Sequence, residues 1–457
     1  MSTPIPGPPG VPLLGNIFDV DQKNTWVSLK SLADKYGEIF RIKIVGHQMV
    51  FVGSAALVEE LCDESRFRKA VMGPIVEIRQ LVHDSLFTAF HHETSWDVAH
   101  RIMAPMVTPS AAETMFAQMY ECAEKLVAKW TSQPNQRIQV TNDLQRLDHQ
   151  SIMACYFNQS GNYLEGPEPP VLAAMDSSTL EAMKRPNRPK FLTRLFHQRK
   201  YDKDIKAVRS YSAEIIANRK SELTPKNDML NALLNNPDPV TGEKLNEERV
   251  IDEIINIFIG SATAPCLVAF AIYYLLQNPE EIIKARDEID SILDADEPLT
   301  NSNISNFTYC EAILREAHRL SAVAPAFNIE PIPSDEPGEV LLAGGKYKIP
   351  RNQVIIAVLA AVNRDPTIFD DPEAFRPERM LGEAYDRLPA GVKKGFGNGK
   401  RRCFGAVPAW QWSLITLINI IRKVDLSMAD KDYKLKVNGA FCVQPLEFYA
   451  LVGPREV

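Results

Sequence analysis

Cysteine is scarce and scattered in this sequence. Seven occur (Cys62, Cys122, Cys155, Cys266, Cys310, Cys403 and Cys442), an odd number, and no two stand in a Cys-x-x-Cys spacing. That usage excludes a disulfide framework and a cysteine-based zinc site, and it fits a reducing compartment. Internal repeats and low-complexity tracts are also missing. So is any basic excess: 51 Lys and Arg face 58 Asp and Glu, for a net charge of −7, and general affinity for nucleic acid is not expected. The opening residues, MSTPIPGPPGVPLLGN, have no basic flank and no long apolar run. Neither a signal peptide nor a membrane anchor is expected there. The most apolar stretch, Ile254 to Leu276, is interrupted by Asn256, Ser261, Thr263, Pro265 and two tyrosines. It reads as a buried helix, not a span, and a cytoplasmic protein is the expectation.

Apolar residues make up 45% of the chain, enough for a sizeable core. A length of 457 residues exceeds the usual domain size, yet no linker divides the chain. The most polar, breaker-rich stretches, Asn235 to Glu248 and Asp294 to Asn306, read as loops between helices. One large domain, residues 1–457, is therefore expected.

Helical periodicity dominates. Helices are expected over Trp26 to Tyr36, Ala55 to Cys62, Ala111 to Thr131, Lys203 to Leu223, Pro279 to Leu293 and Cys310 to Leu320. A very long helix is expected from Glu247 to Gln277, kinked at Pro265 because proline lacks the backbone donor and clashes with the preceding turn. Short strands are expected at Ile39 to Ile44 and Gln48 to Val52, around a turn at Gly46, and again at Val340 to Ile349 and Gln353 to Ala360. The fold class is thus mainly α with a minor β part.

The most informative segment is KGFGNGKRRCFGAVP, residues 394–408. Glycines let backbone N–H groups turn toward the Cys403 sulfur. The start of the following helix, with Lys400, Arg401 and Arg402, adds positive charge. Both lower a thiol pKa and favour a thiolate able to ligate a metal. Phe396, Gly399, Arg401, Cys403 and Gly405 match the FxxGxRxCxG signature, and on them the chain resembles the cytochrome P-450 family. The resemblance implies that family's single-domain fold and haem b, with Cys403 as axial ligand. A thiolate pushing electron density onto haem iron favours O–O cleavage.

Further motifs follow the same family in order. Glu316 and Arg319, in REAHRL, match its ExxR helix and share one face. FRPERM, residues 375–380, resembles the segment whose arginine completes a buried charge network. Arg379 is the expected partner and Arg376 the neighbour. By themselves such pairs are usually solvated helix faces. SLFTAFHHETSWDVAHRIMAP, residues 85–105, resembles the helix that meets the haem propionates. Trp96 and His100, at i and i+4, would both donate there, and Arg401 would supply a charged partner.

The similarity extends over essentially the whole chain through GEIFRIKIVG, CDESRFRK, DSLFTAF, APAFN and FGNGKRRC. These segments resemble the haem domains of self-sufficient bacterial and fungal fatty-acid hydroxylases, in which a reductase follows. The sequence stops at Val457, where that linker would begin, so the chain is either an excised domain or a natural stand-alone protein. Electrons are therefore expected from a separate NADPH-dependent flavoprotein. Lys393, Lys394, Lys400 and Arg402 would form a basic docking face for it.

Three departures from the family matter. The oxygen-activation segment, normally Gly, any residue, an acid and Thr, reads Gly260, Ser261, Ala262 and Thr263. The threonine is kept and the acid is gone. At the channel mouth, His47 and Phe51 stand where the hydroxylases grip a carboxylate with a basic residue and a tyrosine. Phe51 cannot donate, and an ordinary histidine is mostly neutral at cytosolic pH. Phe87, Ala324, Pro325 and Ala326 still resemble apolar pocket lining. Pro408, Trp410 and Trp412 interrupt the helix after the cysteine, which unsettles the docking face. The leading expectation is a monooxygenase acting on an apolar or aromatic metabolite of secondary metabolism. A haem-thiolate isomerase or dehydratase working without reductase is the second reading, motivated by the lost acid. A fatty-acid hydroxylase and a non-catalytic haem sensor are less favoured.

Overall fold

The computed structural model describes residues 2–21, 24–44, 46–222, 226–294, 297–334, 338–438 and 441–456. The protein is mainly helical with a minor β part, and its residues group into two compact units. The first comprises Met1–Ala70, Ala312–Cys403 and Val437–Gln444. The second comprises Val71–Glu311, Phe404–Lys436 and Pro445–Val457.

Most of the β structure in the first unit is one five-stranded sheet. Its order is Ile39–Ile44, His47–Val52, Ile355–Val358, Ala326–Pro331 and Phe67–Lys69. All neighbours are antiparallel except His47–Val52 with Ile355–Val358. Branched and aromatic side chains cover both faces. Ile39, Val50, Val52 and Ile355 enter one cluster, and Phe40, Ile42, Phe51 and Val358 another. The strand expected over Gln353 to Ala360 is shorter, because Leu359–Val362 coils into a helical turn. Asp365 fastens this region by accepting from Ala55 N at 3.0 Å.

The second unit is built from long amphipathic helices. Pro109–Trp130 starts on the Thr108 hydroxyl, which accepts from Ala111 N, with Pro109 in the first turn, where its missing donor costs nothing. Val140–Phe157, Pro170–Lys184, Gln198–Ser221 and Ala406–Lys423 complete the main framework. Pro408 likewise falls in the first turn of its helix, so it introduces no kink.

The long helix is two helices. Glu247–Ser261 ends and Thr263–Gln277 begins at Ala262, whose ψ of −9° leaves the helical range. Pro265 explains the position. It cannot donate to the Ser261 carbonyl four residues back, and its ring crowds that oxygen. Side chains take over carbonyls near the break: Thr263 Oγ1 donates to Gly260 O at 3.0 Å and Cys266 Sγ lies 3.3 Å from Ala262 O. Glu247–Gln277 is long and apolar enough to cross a bilayer, yet 67% of its most apolar window is buried inside the protein.

Candidate active site

Cys403 closes a loop that is held from below by two helices of the first unit. Its backbone N–H donates to Phe396 O at 2.7 Å, folding the loop back on itself. The Phe396 ring meets His318, from the Thr308–Leu320 helix, edge-on at 5.4 Å. Gly395 lies so close under that imidazole that a Cβ there would collide with it. Gly399 has φ +61°, a left-handed conformation that costs glycine little. From the end of the Ala55–Leu61 helix, Cys62 O accepts from Asn398 Nδ2 at 2.8 Å and Glu64 accepts from Lys400 N at 2.9 Å. Of the seven cysteines, Cys403 alone is exposed.

Beside that sulfur stand two cations. Lys69, the last residue of the Phe67–Lys69 strand, is half-buried. Burial first, and then the Arg401 guanidinium, push its ammonium down to about 7, while Cys403 pulls the other way. Arg401 Nε and Nη1 are also buried. Two cations crowded together next to a thiol favour a ligand that brings anionic groups. A porphyrin iron with two propionates has that charge pattern, so the residues present fit haem. Lys69 was not legible as a site residue, because one lysine in CDESRFRK carries no signal until the strand places it beside residue 401.

Behind the loop, Glu316 is fully buried and Arg319 nearly so. They pair through two bonds, Nε to Oε2 at 2.7 Å and Nη2 to Oε1 at 2.8 Å. Arg319 also donates to the carbonyls of Asn363, Pro372 and Ala374. Glu316 accepts from Arg376 N at 3.0 Å, and Arg379 Nε lies 3.4 Å from it. The Arg376 side chain turns outward to Asp371 instead. This network pins the residue 363–379 loop to the Thr308–Leu320 helix.

The same unit holds five of the residues named for the pocket and its mouth. Ala324, Pro325 and Ala326 lead into the Ala326–Pro331 strand; Ala324 is exposed and Pro325 buried. His47 and Phe51 lie four apart on one strand. His47 is exposed, whereas the Phe51 ring is buried and stacks on Phe40 at 5.2 Å. Phe51 is thus largely a core residue, since its cross-strand neighbour is aromatic.

In the second unit, Trp96 and His100 stack at 4.6 Å on the Ser95–Met103 helix, and His100 meets Phe404 edge-on at 5.5 Å. Gly405 is the N-cap of Ala406–Lys423. Within that helix Trp410 Nε1 donates to Glu311 at 3.0 Å and Trp412 Nε1 to Ser151 at 2.9 Å. Both indoles therefore serve packing and hydrogen bonding inside the unit. Phe87 sits in a braced segment: Arg79 donates to Thr88 O and pairs with Glu93, and the buried Glu253 accepts from Leu86 N at 3.0 Å. Burial pushes the Glu253 carboxyl up to about 8.

That shift has a measurable consequence. A carboxyl raised on folding contributes stability that is complete below its unfolded pKa and is lost as pH rises through the folded one. Glu253→Gln removes the titration and keeps the acceptor for Leu86 N. Its stability relative to the parent is expected to improve steadily between pH ~4.5 and ~8, by at most about 1.4 kcal/mol per pH unit. Denaturant melts of both proteins across that range check it; a constant difference would show that Glu253 titrates normally.

The comparisons with known proteins bear on all of this. A model of the cytochrome P450 family matches residues 5–452. A bifunctional cytochrome P450/NADPH–P450 reductase of Acremonium egyptiacum is 38% identical, covering 98% of this chain and 43% of its own. A self-sufficient cytochrome P450 monooxygenase of Exserohilum turcicum is 37% identical, covering 99% of this chain and 42% of its own. A bifunctional cytochrome P450/NADPH–P450 reductase of Aspergillus oryzae is 35% identical with the same coverages. The chain therefore spans about two fifths of the length of these relatives. It belongs to the cytochrome P450 family, oxidoreductases that hold haem b on a cysteine thiolate.

Proposed function

We propose that residues 1–457 act as one haem-thiolate monooxygenase domain, which oxidises an apolar or aromatic metabolite with electrons from an NADPH-dependent flavoprotein. The observation that carries this reading is the exposed Cys403 sulfur flanked by Arg401 and Lys69. The fused reductases of the relatives suggest the electron source. Cys403 would ligate the iron, with Phe396, Gly399 and Gly405 shaping its loop. Arg401 and Lys69 would receive the propionates. Bound there, haem supplies activation of dioxygen. The chain's own residues would do the rest. Thr263 Oγ1 keeps its proton on the Gly260 carbonyl and has lone pairs left to accept from a water. Ala262 offers no group at all. Phe87, held by its braced backbone, would keep one wall of the pocket apolar and limit water. Glu316, Arg319 and Arg379 would keep the cysteine loop's support rigid. Lys400 and Arg402 are exposed and would meet the flavoprotein.

The test is reconstitution with a P450 reductase, following NADPH, oxygen and product together, with candidate substrates chosen by the shift they cause in the haem spin state. Product formation that needs no reductase would favour the isomerase reading. Binding of simple long-chain fatty acids is expected to be weak, because neither His47 nor Phe51 forms a carboxylate clamp. Replacing His47→Arg should tighten it by about tenfold, the value of one charge-assisted hydrogen bond, whereas Phe51→Tyr, at a ring buried against Phe40, should add little. Tight fatty-acid binding by the unaltered protein, indifferent to both changes, would overturn the substrate argument.

A further inference from the structure

The break at Ala262 has a buried acid beside it on another helix. Asp148 lies on Val140–Phe157, the helix that packs along Thr263–Gln277, and it is 7% exposed. Its carboxyl faces the side chain of Ser261, the last residue before the break, near enough for the hydroxyl to favour its charged form. Ser261 Oγ in turn donates to Phe258 O at 3.2 Å. Among the described residues Asp148 has no ion-pair partner. Its titratable neighbours are Cys155 on its own helix and, beyond it, Cys122 on Pro109–Trp130, and burial holds both thiols neutral. The adjacent His149 bonds Tyr211 at 2.9 Å and is pushed down to about 4 by burial, so it carries no charge either. Burial outweighs the Ser261 hydroxyl, the one neighbour that favours the carboxylate, and the Asp148 carboxyl is pushed up to about 8. An acid that keeps its proton at neutral pH, set beside a hydroxyl at an interrupted helix, is arranged to donate.

We propose that Asp148 provides the acid that position 262 lacks, its proton reaching the helix break through the Ser261 hydroxyl. The inference rests on the monooxygenase reading, whose chemistry consumes protons. One proton leaves the carboxyl for Ser261 Oγ while the proton already on Oγ passes to a water at the break, and no electron moves. The carboxylate left behind takes a proton back from solvent hydronium, drawn by its own burial. Room for the water exists at Gly260, which is exposed and where a Cβ would meet nothing within 4 Å. Asp148 acts through Ser261 and is a positioning, proton-holding residue, while Ser261 delivers.

Two readouts on the holoprotein test this. Infrared difference spectra between neutral and alkaline pH should show protonated carboxyl bands from Asp148 and Glu253. Asp148→Asn should remove one, and Ser261→Ala should move that same band and leave the other. With a reductase and a turned-over substrate, product formed per NADPH should fall about tenfold or more in Asp148→Asn and in Ser261→Ala, and no further in the double variant. The alkaline loss of coupling in the parent should disappear in both. An Asp148 band that is absent, or unmoved by Ser261→Ala, overturns the inference, as does unchanged coupling and pH profile in both variants. Should Asp148→Asn fail to take up haem, Ser261→Ala decides alone, because it removes one hydroxyl. A parent that oxygenates nothing with any reductant overturns the monooxygenase reading instead, and the infrared arm still decides the Asp148–Ser261 pair.

Discussion

Cys403→Ser is expected to abolish the red-shifted absorption band of the reduced, carbon-monoxide-bound protein and with it all reductase-driven oxygenation. The change swaps one atom, so packing is nearly untouched. The loop is held by the Cys403 N–H bond to Phe396 O and by the contacts of Asn398 and Lys400, none of which uses the sulfur. What is lost is the thiolate. A serine hydroxyl stays protonated where a cysteine ionises, and it cannot push charge onto iron as a sulfur does. Five of the other six cysteines are poorly placed to stand in. Cys122, Cys155, Cys266 and Cys310 are buried, and burial pushes the half-buried Cys62 thiol up, away from ionisation. Spectra of the reduced variant under carbon monoxide, with haem content measured in parallel, check the expectation. A variant that keeps the normal thiolate band would remove Cys403 from the site.

The parts of the site that could be read in the sequence are those whose chemistry is local. A cysteine loop needs glycines, cations and the ligand within ten residues, so FGNGKRRCFG is contiguous. Glu316 and Arg319 are one helical turn apart, and Trp96 and His100 the same. The parts that could not be read depend on distant segments meeting. Lys69 becomes a site residue only because a three-residue strand ends beside the loop. Glu253 braces Leu86, next to Phe87, across 167 positions, and Asp148 reaches Ser261 from another helix. Trp410 and Trp412 look in the sequence like disturbances of a docking surface, and the structure gives each an internal acceptor. The kink at Pro265 follows from proline chemistry, but its place, one turn earlier at Ala262, follows from which carbonyl the ring displaces.

The Glu316 network sets the largest stability effect expected in the molecule. Glu316→Ala leaves the Arg319 guanidinium buried with only neutral carbonyls around it, and removing one partner of a buried ion pair costs about 3–5 kcal/mol. It also frees the Arg376 N–H and withdraws the charge that faces Arg379. Arg319→Ala removes the pair from the other side and leaves three carbonyls without their donor, so a loss of similar size is expected. Arg379→Ala should cost far less, about 1 kcal/mol, because its contact is longer and its side chain reaches the surface. The effect on haem should track the effect on stability. The Thr308–Leu320 helix carries both Glu316 and His318, and His318 supports Phe396 in the cysteine loop. Loosening that helix therefore loosens the ligand. Denaturant midpoints and the fraction of protein that retains haem, measured for the three variants, separate the cases. A Glu316→Ala protein as stable as the parent would mean that the Arg319 guanidinium is rehydrated or re-partnered once Glu316 is gone, and the network would then serve only to orient the loop.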